Sequence, residues 1–324
     1  MRKTGLQRLF SAIFSAVLLS TGAGAWAQSF PNRPVKMIVP FPPGGGLDAI
    51  ARELASHMSS GLGQPVVIDN RAGAGGAIGT EATARASADG YTVLMTTDGH
   101  AMIPYLQKVT WDPVKDFVPI STAGTYNLVL VAHPSLNVAS VADLIRVAKA
   151  SPGKLSYGSS GVGGAVHIAF EMFKTATGID LVHVPYKGLG ALSTAMLTGE
   201  VPVGINGMAA TPHIRAGKLR GLGVTGSKRW SVIPDVPTIA EAGVPSFVFE
   251  GWIGLLAPAG TPRDVIGALN AEMVKAAAAP EVRQRLSALG FDAVSSTPEQ
   301  FSGMVAADVG RFGKVIRSLG ITAN

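Results

Sequence analysis

Two short stretches of this sequence put glycine where a strand gives way to a helix. The first, PFPPGGGLDAIAR, runs from Pro40 to Arg52, and the second, YGSSGVGGAVHIAFEMF, from Tyr157 to Phe173. A helix start leaves its first backbone N–H groups without intrahelical partners and carries partial positive charge. Glycine lets an anion approach that backbone closely, and Ser159 and Ser160 add hydroxyl donors. The chemistry on offer is anion capture. One such turn serves equally well as a plain strand-to-helix connection. Two, one in each half of the chain, favour a shared ligand.

Catalytic spacings fit less well. Neither turn has Lys followed by Ser or Thr after its last glycine, as a Walker A loop requires. The nucleophile elbow G-x-S-x-G fails because Val162 stands two residues after Ser160. The dinucleotide fingerprint is met loosely by Gly44, Gly46 and Ala49, with Asp69 lying 25 residues beyond Gly44. That makes an oxidoreductase the strongest enzyme alternative, although Pro42 and Pro43 interrupt the strand end it needs. The six histidines, His57, His100, His133, His167, His183 and His213, show no H-E-x-x-H or other ligand spacing, and the chain has no cysteine. Neither a metal nor a cofactor is expected.

The elements that position these turns follow from periodicity. VKMIV, Pro65–Asp69 and Tyr91–Thr97 read as strands. Between the first two, Leu47, Ile50, Ala51, Leu54, Ala55 and Met58 fall on one face of a helix. Strand–helix–strand–helix–strand predicts a parallel sheet with right-handed crossovers. The pattern restarts at Asn127–His133 with a helix over VADLIRVAKA, a strand at Leu155–Ser159 and a helix over 164–177. The segment WSVIPDVPTIAEAGVPSF, with three prolines, reads as a surface wrap. An apolar strand then covers Trp252–Pro258. The remainder is helical to nearly Leu319, with a break at Pro280 and a helix start at Thr297–Pro298–Glu299. This is an α/β chain in which a discontinuous first domain is left near residue 124 and rejoined near 250. Ligands of open α/β sheets bind beyond the carboxyl ends of the strands, which here means a cleft between two domains.

Bulk properties narrow the partners. The 324 residues suffice for two domains, and 47% hydrophobic residues can form a core. The 40 Gly and 21 Pro punctuate many short turns rather than forming a repeat. Arg2, Lys3 and Arg8 precede the apolar run Leu9–Leu19, and Ala25–Trp26–Ala27 supplies small residues at the −3 and −1 positions of a cleavage site before Gln28. This is read as a secretory signal over 1–27, with a retained membrane anchor as the alternative. Its removal takes away three basic residues and no acid, lowering the formal charge from +6 to +3. No dense basic run follows, so no nucleic-acid partner is expected.

Eight blocks in order, among them IVPFPPGGGLDAIAR, WDPVKDFVPI, YGSSGVGGAVHIAFEMF, VPYKG and PDVPTIAEAGVP, resemble the Bug family. These are the extracytoplasmic receptors of tripartite tricarboxylate transporters, and the resemblance spans about residues 30–320. It implies a two-domain periplasmic-binding-protein fold of the Venus flytrap kind: domain I over 28–124 and 250–324, domain II over 125–249. It further implies a non-enzymatic periplasmic receptor, monomeric, that captures a small organic carboxylate and passes it to two integral-membrane subunits. A ligand sensor without transport shares the same fold.

The resemblance also transfers site residues. The first turn contributes Phe41, Pro43, Gly44 and Gly45, with Asp48 behind them. The second contributes Ser159, Ser160, Gly161 and Gly163. Thr97, Asp98 and His100 fall at the cleft edge, Tyr186 in VPYKG faces the cleft, and Asn206 is the polar contact from its strand. Asp98 stands where the family suggests a small or hydroxyl residue, and Pro202 stands where it suggests an acid. Plainer readings stay open: Phe41 as core, Asp48 as a helix-dipole partner, His100 as a satisfied histidine and Tyr186 as local packing.

Overall fold

The computed structural model describes residues 30–322. The expected signal over 1–27 and its expected cleavage site lie outside them. From Arg33 onward the chain forms one compact unit.

Strand β1 (Val35–Val39) leads through the first glycine turn into α1 (Gly46–Leu62), which buries Ile50, Ala51, Leu54, Ala55 and Met58 and stops at Gly63, φ 66°. That left-handed conformation suits glycine and ends the helix. Next come β2 (Val66–Asn70), α2 (Ala77–Ala84), β3 (Thr92–Thr97), α3 (Gly99–Leu106) and β4 (Phe117–Tyr126). The chain then builds β5 (Val129–Ala132), α4 (Val141–Ala150), β6 (Ser156–Ser159), α5 (Ala165–Thr177), β7 (Val182–Pro185), α6 (Leu189–Thr198), β8 (Val203–Asn206), α7 (Thr211–Arg215) and β9 (Arg220–Val224). It ends with β10 (Gly251–Pro258), α8 (Arg263–Ala278), α9 (Pro280–Ala288), β11 (Phe291–Asp292) and α10 (Pro298–Leu319).

Two sheets result. Six strands take the order β11-β4-β10-β3-β1-β2, and five take the order β7-β6-β8-β5-β9. β1 is parallel to β2 and β3, as strand–helix alternation requires, and β6 is parallel to β7 and β8. β10 lies antiparallel between β3 and β4, and β5 antiparallel between β8 and β9, so both sheets are mixed. The second sheet comes wholly from the chain between β4 and β10. Residues 127–128 make the outward crossing, and 225–250 bring the chain back.

Four elements escape the sequence pattern: β4, α3, α7 and β11. Gly99 and Pro104 punctuate α3, and β4 carries Pro119 and Gly124, so propensity there reads as turn. Partners on both sides override it, since β4 pairs with β10 along its whole length and with β11. The proline-rich segment is more than a surface wrap. It buries Trp230, Ile233, Ile239, Val244 and Phe247 in the core of the second sheet.

α10 begins with a full capping box, in which the Thr297 side chain accepts from the Gln300 N–H and the Gln300 side chain accepts from the Thr297 N–H. Along its length it serves both halves. Phe301 and Val305 enter the core around β10, whereas Phe312 and Ile316 enter the core of the second sheet.

Candidate functional site

A cavity of about 730 Å³ opens between the two sheets. Its walls come from the carboxyl ends of parallel strands, where strand-to-helix turns gather. After β1 comes Phe41, β3 ends at Thr97 and is followed by Asp98 and Gly99, and one face of α3 adds Met102, Ile103 and Leu106. Opposite them stand Ser160 and Val162 after β6, then Gly163 to Val166 at the start of α5. Leu189 opens α6, and Gly207 and Met208 follow β8. The outward crossing supplies Tyr126, Asn127 and Leu128, and β11 supplies Phe291.

The second glycine turn is the polar end of this cavity. Gly164 caps α5 in an extended conformation, φ −72° and ψ 163°, and no side chain caps the helix. The first N–H groups of α5 therefore belong to residues on the cavity wall and have no intrahelical acceptor. Around them the turn is braced. The Gly163 N–H donates to His167 Nδ1 at 3.0 Å, and the Gly161 N–H to Ser159 Oγ at 3.2 Å. Ser159 Oγ is also hydrogen-bonded to His183 Nε2 at 2.7 Å. The His167 and His183 rings stack 3.9 Å apart. Burial, reinforced by His183, pushes His167 down to about 4, so its ring stays neutral and Nδ1 stays an acceptor. Gly163 has φ +75°, and a Cβ there would stand 2.8 Å from Leu106 Cδ2 on the opposite wall.

The first glycine turn is built differently. Asp48 is buried and holds the turn closed: its Oδ2 accepts from the Gly44 N–H and from Arg52 Nε, both at 2.9 Å. Its Oδ1 accepts from Asn70 Nδ2, also at 2.9 Å. Burial pushes the Asp48 carboxyl up, but the bonds from Arg52, Gly44 and Asn70 outweigh it and hold the group below its ordinary range. Of this turn, Phe41 reaches the wall, while Pro43, Gly44 and Gly45 are exposed and stand off it.

The other transferred residues divide similarly. Thr97, Asp98, Ser160 and Gly163 share the cavity wall with Phe41. His100 does not. It is buried between Trp111 and Phe117, with ring centroids 5.2 and 4.7 Å away, and Nε2–H donates to the Pro113 carbonyl. Burial pushes it down to about 4. Helical geometry turns it away, because residues 98 and 102 share the cavity face of α3 and residue 100 lies across from them. Ser159 and Gly161 sit behind the wall, and Tyr186 donates its hydroxyl to Glu200 at 2.9 Å. Asn206 is fully buried, donates to Ser193 Oγ at 3.0 Å, and accepts the Gly207 N–H at 2.8 Å, which fixes a wall residue from behind. The walls contributed by Met102, Ile103 and Leu106 of α3, by 126–128 and by 207–208 have no counterpart in the sequence reading. The one signal for 126–128 is the expected crossing near residue 124, since a crossing between two sheets must border the cleft.

Among the described residues lining the cavity, Asp98 is the one carboxylic side chain. It is 1% exposed. Its Oδ1 accepts the Tyr126 hydroxyl at 2.9 Å, and its Oδ2 has no partner. Burial pushes the carboxyl up to about 7; Asp308 adds to that, while Tyr126 and Arg311 oppose it.

Likeness to known proteins decides what this cavity belongs to. Residues 50–321 match the tripartite tricarboxylate transporter family receptor. The chain belongs to that family. BugT of Bordetella pertussis is 40% identical over 298 residues, covering 91% of each chain. The structure of R. palustris Rpa4515 with adipate is 36% identical, covers 90% of this chain and 99% of its own, and superimposes with a TM-score of 0.73. A TctC solute-binding protein from Polaromonas, solved with no ligand, is 26% identical, covers 90% and 100%, and superimposes with a TM-score of 0.82. The receptor is therefore an α/β periplasmic-binding-protein fold with its cavity between two mixed sheets.

Proposed function

We propose that this receptor captures a small organic carboxylate in the cavity, leaves it chemically unchanged, and delivers it in the periplasm to the two membrane subunits of a tripartite tricarboxylate transporter. The observation that carries this reading is the uncapped start of α5 on the cavity wall. Backbone donors and a helix N-terminus fit a carboxylate without any cationic side chain. The adipate held by the similar R. palustris protein agrees with that chemistry. No helix among the described residues is long and apolar enough to cross a membrane.

We take residues 28–124 and 250–324 as one lobe and 125–249 as the other, hinged at the two crossings, with the protein acting as a monomer. Two crossings between the sheets, with the cavity between them, are what supports a receptor that closes on its ligand.

A thermal-shift screen of organic acids, their methyl esters and NAD tests this. A ligand at about 100 times its dissociation constant adds roughly 2.7 kcal/mol, worth about 5–10 °C for a chain of this size. At least one acid raises Tm by that amount and its ester does not. A shift with NAD alone, or turnover of the bound acid seen by mass spectrometry, overturns the reading.

A further inference from the structure

The wall is uneven in its polarity. Its backbone donors for a carboxylate gather at the start of α5 and Thr97, Gln107 and Asn127 add neutral polar side chains, while Met102, Ile103, Leu106, Val162, Met208 and Phe291 give most of the remaining surface an apolar character. Among the described residues lining the cavity there is no Lys, Arg or His. A second carboxylate would have no cationic side chain to meet. It would have Asp98.

We propose that this cavity selects organic acids with one carboxylate, an apolar body, and a hydroxyl or ammonium donor at the far end, with Asp98 as the acceptor of that donor. The inference rests on the carboxylate-receptor reading and narrows it.

The orphan oxygen of Asp98 is the starting point. A buried acceptor without a donor is costly, and a ligand donor relieves that cost. Tyr126 already occupies Oδ1, which leaves Oδ2 for the ligand. The groups facing Asp98 are Tyr126 from β4 and Asp308 and Arg311 from α10. Arg311 does not neutralise it, because its guanidinium pairs with Asp308 at 2.8 Å and Asp308 also accepts from Trp252 Nε1 at 2.7 Å. An ionised Asp98 therefore repels a second ligand carboxylate in a poorly screened setting. An apolar body suits the remaining wall by ordinary burial.

The pH dependence follows from the same geometry. With the carboxyl pushed up to about 7, Asp98 is mostly protonated in mild acid and can itself donate to a ligand carboxylate. Above neutrality it only accepts. Discrimination against diacids therefore grows as pH rises through about 7.

Calorimetric titration of two matched series tests the proposal: 6-aminohexanoate, 6-hydroxyhexanoate, hexanoate and adipate, and the four-carbon set 4-aminobutanoate, 4-hydroxybutanoate, butanoate and succinate. At about pH 8 the hydroxy or amino acid of at least one series binds about tenfold more tightly than its diacid, a difference of about 1.4 kcal/mol. The gap narrows at about pH 5.5. In Asp98→Asn, which keeps the shape and removes the charge, the gap no longer changes with pH. The proposal fails if the diacid binds as tightly as the hydroxy and amino acids at about pH 8 in both series, or if Asp98→Asn keeps the pH-dependent gap. Silence from every acid here and in the thermal-shift screen sinks the carboxylate reading itself, and this proposal with it.

Discussion

Asp98 shows how one side chain couples stability to acidity. Its ordinary value is 3.8 and the folded value is about 7, so the native state binds the proton more tightly than the unfolded chain does. The stability this provides is fully present below about pH 4 and is lost as pH rises through about 7. Asp98→Asn carries no titrating proton. Its stability relative to the parent should therefore rise between pH 5 and 8, each recovered kcal/mol moving Tm by about 2–4 °C. Denaturant titrations of both proteins at the two pH values measure it, and an unchanged difference would rule out Asp98 as the titrating group. Gly163 is the second informative residue. At φ +75°, with Leu106 only 2.8 Å from where a Cβ would stand, any larger side chain strains the backbone and crowds the opposite wall. Gly163→Val should weaken carboxylate binding about tenfold or more while circular dichroism stays unchanged. Parent-like affinity in a folded variant would remove this turn from the site.

At the scale of elements, the two glycine turns have the same sequence character and different braces. The first is held by the Asp48 carboxylate, which collects Gly44, Arg52 and Asn70. Asp48→Ala leaves those donors without their acceptor and should cost about 1–3 kcal/mol of stability, read from the shift of the denaturation midpoint. The second turn is held by His167, whose Nδ1 must stay unprotonated to accept from Gly163. The ring is depressed from 6.5 to about 4, so the unfolded chain binds the proton more tightly. The stability it provides is present above about pH 6.5 and is lost as pH falls through about 4, opposite in sign to Asp98. His167→Ala should be less stable at pH 7, by about 1–3 kcal/mol, yet show a shallower loss of stability from pH 6.5 down to 4. A parallel acid limb in parent and variant would count against this brace.

For the whole molecule, the relevant quantity is the freedom of the two sheets to approach one another. Two crossings, 127–128 and 225–250, carry the chain between them, and α10 packs against both cores. Closure about those crossings should shrink the molecule. Small-angle scattering should report a smaller radius of gyration at saturating carboxylate than without it. An unchanged radius with a ligand proven to bind by calorimetry would exclude closure as the mode of capture.

The sequence by itself determined the strand–helix alternation, because buried apolar periodicity is a local property: the face Ile50–Met58 on α1 and the parallel β1, β2 and β3 follow from it. It also located both glycine turns, since an uncapped helix start is written in adjacent residues. The tertiary structure decided what no local pattern records. β4 is a strand because β10 and β11 pair with it across more than a hundred residues of chain. Phe41, Thr97, Asp98, Ser160 and Gly163 share one cavity, while His100 and Tyr186, no less polar in sequence, face Pro113 and Glu200 instead. Which side of a helix meets the cleft, and whether a carboxyl finds a partner once buried, depends on elements distant in sequence converging there. The raised acidity threshold of Asp98 is of that kind: burial raises it and Asp308 on α10 adds to that against the hydrogen bond from Tyr126 on β4, and only folding brings these groups together.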